Sequence, residues 1–277
     1  MREQTGQILG SNDLKLHSKT WFPEGPPKAV LAVVHGAGEH VDRYPHFVEA
    51  LVPDGFILAG YDQCGHGKSE GQRGHINSWS EYREDCHCFL GQIRDSFPEL
   101  PFFLYGHSMG SLIVLDYILH YPEGLQGAIL SGTALDPMDA APPFLVQVAK
   151  IMSRIIPSFS LKVKLEGSAL SRVPETAAAY MNDPLVHWTR SVRWGTESLA
   201  IIEEIKARMA EINLPTLILH GEMDPLVAAA GAQELYDQIQ HPDKTLKIYA
   251  EGLHEPHNDV NYPQTVADIR DWMNEHL

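Results

Sequence analysis

The sequence predicts an α/β fold with a mostly parallel central sheet and helices on both faces of that sheet. Short apolar runs recur along the 277 residues without polar alternation, as expected for strands buried on both sides. Stretches with helical apolar spacing separate most of these runs, which is typical of strand–helix–strand units. The predicted buried strands span residues 29–34, 56–61, 102–105, 127–131, 215–220 and 245–250.

The start of the chain follows a different pattern. Segments 3–10 and 13–22 flank a Gly-Ser-Asn-Asp turn sequence, and Leu14 and Leu16 alternate with polar neighbours. Alternation with a period of two beside such a turn predicts a β-hairpin.

Helical spacing marks the connections between the buried strands. The apolar residues recur three and four positions apart, so that they share one face of a helix. The faces that show this most clearly are Tyr44, Phe47, Val48 and Leu51; Trp79, Tyr82, Cys86, Phe89, Leu90 and Ile93; and Leu112, Leu115, Ile118 and Leu119.

One long segment interrupts the alternation of strands and helices. Between about residues 133 and 212 no buried strand is predicted, although apolar helix faces occur at 144–155 and 199–209. An all-helical insertion of this length is typical of a cap over the sheet. We expect a helical cap (lid) at 135–205, inserted into a core formed by residues 1–134 and 206–277.

Composition limits the classes of partner and compartment. Lys and Arg total 21 and Asp and Glu total 36, which gives a net charge of −15. Such a surface repels phosphate backbones, so we expect no nucleic-acid partner. The three cysteines, the absence of an N-terminal signal pattern and the absence of any run of about 18 apolar residues predict a cytoplasmic protein without disulfides.

The sharpest motif is Gly-His-Ser-Met-Gly at residues 106–110. It follows a predicted strand and precedes a predicted helix, which is the context of a nucleophile elbow. A side chain at Gly106 or Gly110 would collide with neighbouring backbone in so tight a turn. Ser108 would then lie at the apex of the turn, as a candidate nucleophile.

A serine hydroxyl needs a base, and the base needs an acid that orients it. Asp224 and His254 follow the last two predicted strands, in the chain order serine, acid, histidine that such sites use. Glu222 is an alternative acid and His257 an alternative base.

An acyl intermediate also needs two N–H donors for its oxyanion. Met109 follows the nucleophile, and Ala37 lies in the His-Gly-Ala-Gly loop after the first buried strand. We expect the backbone N–H groups of these two residues to form the oxyanion hole. The chemistry requires no cofactor, and the sequence indicates no metal site.

Seven motifs in order along the chain resemble the monoacylglycerol lipase family of α/β-hydrolases. They are HGAGEH (35–40), RY (43–44), GHGKSEG (65–71), GHSMG (106–110), YMNDPL (180–185), GEMDPLV (221–227) and LKIYAEGLHE (246–255). The resemblance implies an α/β-hydrolase fold and a serine esterase with Ser108, Asp224 and His254 as its triad.

The resemblance also implies a substrate. It predicts hydrolysis of a small lipid ester, a monoacylglycerol, beneath a cap that encloses an apolar acyl tunnel. The apolar face from Phe144 to Ile155 could be core, line the acyl site or contact a lipid interface transiently. The residues that match the family's alcohol pocket are Glu39, Arg43, His107 and Tyr180.

Other interpretations remain open at this point. Glu39 and Arg43 could instead hold the oxyanion loop by an ion pair. A broader carboxylesterase, a lysophospholipase, an acyltransferase and a non-catalytic binder on the same fold are the alternative functions.

Overall fold

A single eight-stranded sheet organises the computed structural model, which describes residues 1–138 and 141–277. Its spatial order is β1-β2-β4-β3-β5-β6-β9-β10, antiparallel at β1–β2–β4 and parallel from β4 to β10. The fold class and the N-terminal hairpin are therefore confirmed. The ten strands are β1 (Arg2–Leu9), β2 (Lys15–Phe22), β3 (Ala29–Val34), β4 (Phe56–Tyr61), β5 (Phe102–His107), β6 (Gly127–Ser131), β7 (Ser160–Lys162), β8 (Thr189–Ser191), β9 (Thr216–Gly221) and β10 (Lys244–Tyr249).

Eight α-helices are found in the described part of the chain, and four of them cover the two faces of the sheet near β3. Among the helices of residues 1–138 and 141–277, none combines the length and apolarity that a bilayer crossing requires. The helices are α1 (Pro45–Leu51), α2 (Ser80–Ser96), α3 (Met109–His120), α4 (Pro143–Ile155), α5 (Pro174–Asn182), α6 (Val192–Arg208), α7 (Ala229–Gln238) and α8 (Tyr262–Glu275).

The central strand β3 shows why its sequence is continuously apolar. Successive side chains of a strand point to opposite faces, and both faces here are packed. One set joins the core that contains α2 and α3, and the other joins the core that contains α1 and α8. The two sets are Val30, Ala32 and Val34, and Ala29, Leu31 and Val33.

The inserted segment carries more than helices. It contains α4, α5 and the greater part of α6, but β7 and β8 also pair as a small antiparallel sheet. Each of these strands has three residues, and the pair contains only one apolar side chain. Because neither strand is an apolar run, the sequence pattern did not predict them. The expected boundary at residue 205 falls inside α6.

Several contacts join this segment to the core. The backbone N–H of His187 donates to Gly38 O at 2.9 Å, and the Ser191 N–H donates to Gly74 O at 2.8 Å. At the other side of the segment, the Arg172 guanidinium pairs with the buried Asp259 carboxylate at 2.9 Å. The loop after β3 is therefore held from above by the inserted segment.

The start of α3 lies unusually close to the end of β3. A Cβ atom on Gly110 would collide with the carbonyl oxygens of Val34 and His35. Only glycine allows the helix to approach the strand so closely. This contact fixes the turn between β5 and α3 against the loop that follows β3.

We expect Gly110→Ala to lower the free energy of unfolding by about 1–3 kcal/mol, the usual cost of forcing atoms into a packed site. Urea unfolding monitored by tryptophan fluorescence measures this change. Gly91→Ala is the matched control, since Gly91 lies inside α2 and its Cβ would meet no atom within 4 Å. That variant should equal the wild type or exceed its stability. Unchanged stability of Gly110→Ala would contradict the close approach.

Candidate active site

Ser108 lies at the apex of the turn between β5 and α3. Its backbone has φ 52° and ψ −120°, a conformation that residues other than glycine rarely adopt. The turn is held in place because the Ser108 N–H donates to Ser131 O at 2.9 Å. A Cβ on Gly106 would collide with Gly110 O, so the motif needs both of its glycines. The hydroxyl of Ser108 is thereby presented at the carboxyl end of the sheet.

Ser108, His254 and Asp224 form a continuous chain of polar contacts. The His254 Nε2 atom lies 2.9 Å from Ser108 Oγ, and its Nδ1 atom lies 2.7 Å from Asp224 Oδ2. The other oxygen of Asp224 accepts the N–H groups of Leu226 and Val227 at 2.8 and 3.0 Å. The acid is therefore fixed by the loop after β9, and the histidine ring is held between acid and hydroxyl.

Electrostatics favour an ionised acid and a basic histidine. Burial alone would raise the pKa of Asp224, but the charge of His254 and hydrogen bonds from His220, His254 and Leu226 hold this pKa well below its usual range. Burial alone would lower the pKa of His254, but the Asp224 carboxylate outweighs it and raises that pKa. The ring is thus tuned to accept a proton from Ser108.

The alternative acid and base lie elsewhere. The Glu222 carboxylate accepts the Glu251 N–H at 3.2 Å. His257 is buried, stacked on Tyr44, and its Nδ1 atom lies 3.2 Å from the Tyr105 hydroxyl. Burial lowers the pKa of His257 to about 3, and the neighbouring His107 adds to this. In the described structure neither residue contacts Ser108 or His254 by a hydrogen bond.

The two expected oxyanion donors have unused N–H groups. Within residues 1–138 and 141–277, the N–H groups of Ala37 and Met109 donate to no backbone or side-chain acceptor. Met109 begins α3, where the helix dipole adds positive potential. The Ala37 loop is shaped from both sides, because the Gly36 N–H donates to the Glu39 carboxylate and Gly38 O accepts from the inserted segment.

Glu39 and Arg43 belong to a buried charge network. The Arg43 guanidinium donates to both oxygens of Glu255 at 2.8 and 3.0 Å and to Glu39 at 3.1 Å. Tyr44 Oη donates to Glu39 at 2.9 Å, and the Arg43 guanidinium lies 4.6 Å from the centre of the Tyr180 ring. This network connects the oxyanion loop with the loop that carries His254, and the sequence analysis did not include Glu255.

His107 and Tyr180 lie beside this network, and both border the central cavity. His107 is buried with its Nδ1 atom 3.2 Å from Ser131 O, and its ring centre lies 4.9 Å from that of His254. Burial lowers the pKa of His107 to about 3, with a further contribution from His254, so its ring is neutral. Tyr180 is buried in the inserted segment, where burial raises the pKa of its hydroxyl to about 12.

A cavity of about 620 Å³ opens above Ser108, between the sheet and the inserted segment. Its polar end carries Glu39, His107, Tyr180 and Glu255, whereas Arg43 is behind this wall and does not border it. Its apolar wall comes mostly from the inserted segment: Leu145, Val146, Ala149, Leu161, Val163, Leu165, Leu170, Val192, Trp194 and Leu199, with Leu226 and Val227 from the core. The arrangement suits a substrate with one polar and one long apolar part.

The structure brings Ser108, His254, Asp224, Ala37, Glu39, His107 and Tyr180 together around one space. It also adds two charged residues that the sequence analysis did not select, Glu255 and Arg190. Glu255 follows His254 directly and ends the LKIYAEGLHE motif, and these were the available signals for it. Across the described residues, no group of three or more His, Cys, Asp or Glu side chains could hold a metal ion.

We expect the imidazole of His254 to titrate above its ordinary pKa of about 6.5 in the wild type and below it in Asp224→Asn. The negative carboxylate stabilises the imidazolium, and without it the burial of the ring, the largest single effect on this pKa, is opposed only by the smaller effects of Glu255 and Glu39. Proton NMR titration measures both values, with His254→Gln identifying the resonance. A titration that does not shift in Asp224→Asn would contradict the proposed coupling.

Comparison with known proteins identifies the relatives of this chain. A family model described as serine aminopeptidase, S33 (Hydrolase_4), matches residues 25–261. The monoacylglycerol lipase of Mycolicibacterium smegmatis is 33% identical over 271 residues, which cover 98% of this chain and 96% of that protein.

Comparison with solved structures gives the same relatives as comparison of sequences. The monoacylglycerol lipase of Paleococcus ferrophilus superposes with a TM-score of 0.86 at 32% identity, covering 95% of this chain and 99% of that one. A thermostable carboxyl esterase from Bacillus coagulans, solved in complex with glycerol, gives a TM-score of 0.85 at 25% identity over 99% of both chains. With a full-length relative at this identity and a shared fold, the chain belongs to the monoacylglycerol lipase family of α/β-hydrolases.

Proposed function

We propose that the protein is a serine hydrolase that cleaves monoacylglycerols to glycerol and a fatty acid through an acyl-enzyme on Ser108. The observation that carries this proposal is the chain of contacts from Ser108 through His254 to Asp224 at the base of a two-ended cavity. The similarity to the monoacylglycerol lipases of Mycolicibacterium smegmatis and Paleococcus ferrophilus supports the choice of substrate.

In the first half of the reaction, Ser108 Oγ attacks the ester carbonyl while His254 Nε2 accepts its proton. Asp224 keeps the ring in the correct tautomer and stabilises the imidazolium that forms. The carbonyl oxygen becomes an oxyanion and accepts hydrogen bonds from the N–H groups of Ala37 and Met109. When the tetrahedral intermediate collapses, His254 returns the proton to the departing glycerol oxygen.

In the second half, water takes the place of the alcohol. His254 accepts a proton from the water, whose oxygen attacks the acyl carbon. Collapse of the second tetrahedral intermediate breaks the bond to Ser108, and the serine oxygen recovers its proton from His254. The fatty acid then leaves the cavity. Apart from the substrate and one water molecule, each of these steps uses groups of the protein.

The polar end of the cavity suits the glycerol part of the substrate. Glu39 and Glu255 offer carboxylate acceptors and Tyr180 offers a hydroxyl, all on the wall of the cavity. We assign substrate contact to Glu39, His107 and Tyr180. Arg43 acts through others, because it holds Glu39 and Glu255 and packs on Tyr180.

The inserted segment has a second apolar surface that faces outward. One side of α4 borders the cavity, whereas its outer face, Phe144, Val148, Ile151 and Ile155, is 47–73% exposed. Leu161 and Val163, which border the cavity, are also 58% and 55% exposed. We propose that this outer face of α4 contacts the lipid interface from which a monoacylglycerol is taken.

A broader carboxylesterase is the second candidate function. The similarity to the Bacillus coagulans carboxyl esterase favours it, and its complex with glycerol agrees with an alcohol pocket in either case. The two functions differ in how much the glycerol part contributes to kcat/KM. A non-catalytic binder is disfavoured by the intact contacts among Ser108, His254 and Asp224.

Ser108→Ala should reduce the rate of glycerol release from a medium-chain monoacylglycerol by at least about 10⁴-fold, since the variant lacks the attacking oxygen. Enzyme-coupled detection of glycerol measures the rate. The exposed Ser96→Ala is the matched control and should retain wild-type activity. Glycerol release that persists in Ser108→Ala would contradict the acyl-enzyme, and no release by the wild type would contradict the substrate.

Tyr180→Phe should raise KM for a monoacylglycerol about 3- to 10-fold, the effect of losing one neutral hydrogen bond. The methyl ester of the same fatty acid has no glycerol hydroxyls, so its KM should not change. Steady-state kinetics with the two esters measure the difference. An equal effect on both esters would mean that Tyr180 only shapes the cavity and that glycerol contact is wrongly assigned.

The double variant Phe144→Ser, Ile151→Ser should bind neutral vesicles at least about tenfold more weakly, because two large apolar side chains no longer enter the interface. Cosedimentation with phosphatidylcholine vesicles measures binding. Leu9→Ser removes an apolar side chain of 59% exposure from β1 and should have no effect. Equal binding of the double variant and the wild type would exclude the outer face of α4 as the contact.

A further inference from the structure

Arg190 places a positive charge on the wall of the cavity. It lies in β8, and its guanidinium packs 4.9 Å from the centre of the Trp194 ring. The guanidinium also lies against the oxyanion loop, since a Cβ on Gly38 would be 3.1 Å from Arg190 Nη2. The charge is thus held next to the loop that carries Ala37.

This charge is not neutralised within the described structure. In residues 1–138 and 141–277, no carboxylate lies within 4.0 Å of the Arg190 guanidinium, whereas Arg43 nearby pairs with both Glu39 and Glu255. A guanidinium has five N–H donors. The one hydrogen bond found here joins Nη1 to Thr189 O at 2.8 Å.

Such a charge is costly to retain without a partner. Arg190 is half-buried, so it bears part of the penalty for removing a cation from water without a counter-ion. Burial lowers the pKa of Arg190, and the groups that partly offset this effect are the hydroxyls of Tyr180 and Tyr82 rather than a carboxylate. An anionic ligand in the cavity would supply the missing negative charge.

The position of Arg190 indicates which part of a substrate would carry that anion. Arg190 borders the same cavity as Tyr180 and lies beside Gly38 in the oxyanion loop, near the reacting ester, whereas the more distant acyl wall consists of apolar side chains. The protein as a whole carries a net charge of −15, so its general surface potential does not attract anions. The local cation therefore acts on a group that is already in the cavity, on the alcohol side of the ester.

We propose that Arg190 is a specificity-determining residue that binds a phosphate on the alcohol part of the substrate, so that the enzyme also cleaves acylglycerol phosphates. This inference rests on the proposed ester hydrolysis at Ser108. The same acyl C–O bond breaks, water supplies OH to the acyl group and H to the alcohol, and glycerol phosphate leaves with its phosphate intact. The guanidinium is matched to phosphate because it donates two parallel hydrogen bonds.

The test compares kcat/KM for decanoylglycerol and decanoylglycerol phosphate, measured as decanoate release. Arg190→Gln should lose about 10-fold or more on the phosphate substrate, the size expected for a hydrogen bond to a charged group, and less than 3-fold on the neutral one. Arg190→Lys keeps the positive charge but loses the paired N–H donors, so it should retain only part of the phosphate activity, between the wild type and Arg190→Gln. Lys162→Gln, an equal loss of charge at an exposed position of the same small sheet, should leave the ratio unchanged.

Each other outcome decides against the assignment. An unchanged ratio in Arg190→Gln overturns it, as does a wild type that cleaves decanoylglycerol but not its phosphate. A change confined to inhibition by free decanoate means that Arg190 serves the product carboxylate and overturns the alcohol-side assignment. A wild type that cleaves neither ester contradicts the proposed function itself.

A competition experiment on the wild type tests the proposal even if Arg190→Gln does not fold. Glycerol 3-phosphate should compete with decanoylglycerol at least about tenfold more strongly than glycerol does. Equal competition by the two would overturn the inference.

Discussion

The close approach of α3 to β3 is the constraint on which the rest of the site depends. Gly110 lies against the Val34 and His35 carbonyl groups, and this contact holds the turn at Ser108 in its strained conformation. The same strand leads directly into the Ala37 loop. This backbone contact therefore places Ser108 and the adjacent Met109 N–H against the loop that carries the second donor, Ala37.

A buried network of charged side chains holds the loops of the site together. Arg43 pairs with Glu39 and Glu255, which belong to the loops after β3 and β10. Breaking a buried pair of this kind by removing one partner commonly costs about 3–5 kcal/mol, because the other charge is left without compensation. The network thus connects the oxyanion loop with the loop of His254. The inserted segment adds Tyr180 above the network and His187 above Gly38.

The sequence predicted the parts of this architecture that depend on local patterns. Strands 29–34, 56–61 and 127–131 have the predicted bounds, because complete burial leaves a continuous apolar run with polar ends. Parallel strands end at one edge of the sheet, so residues that follow several strands, such as Ser108 and His254, were expected to lie together. The contacts from Ser108 through His254 to Asp224 agree with that expectation.

Other features had no local signal. The β7–β8 pair is short and polar, so nothing distinguished it from a loop. The partner of Arg43, Glu255, lies 212 residues away along the chain, and the tertiary fold alone brings the two charges together. Arg190 is notable only because no carboxylate in the described residues lies near its guanidinium, whose one hydrogen bond is to Thr189 O. No sequence pattern predicts such an absence.

The central claim is that Ser108 carries the acyl group between the two halves of the reaction. Acid quenching during turnover of a decanoyl ester, followed by peptide mass spectrometry, tests it directly. We expect a decanoyl adduct on the peptide that contains Ser108. In His254→Ala this adduct should reach only trace levels, because the base is missing. Turnover in the wild type with an adduct on another residue, or water attacking the ester with no adduct at all, would contradict the account.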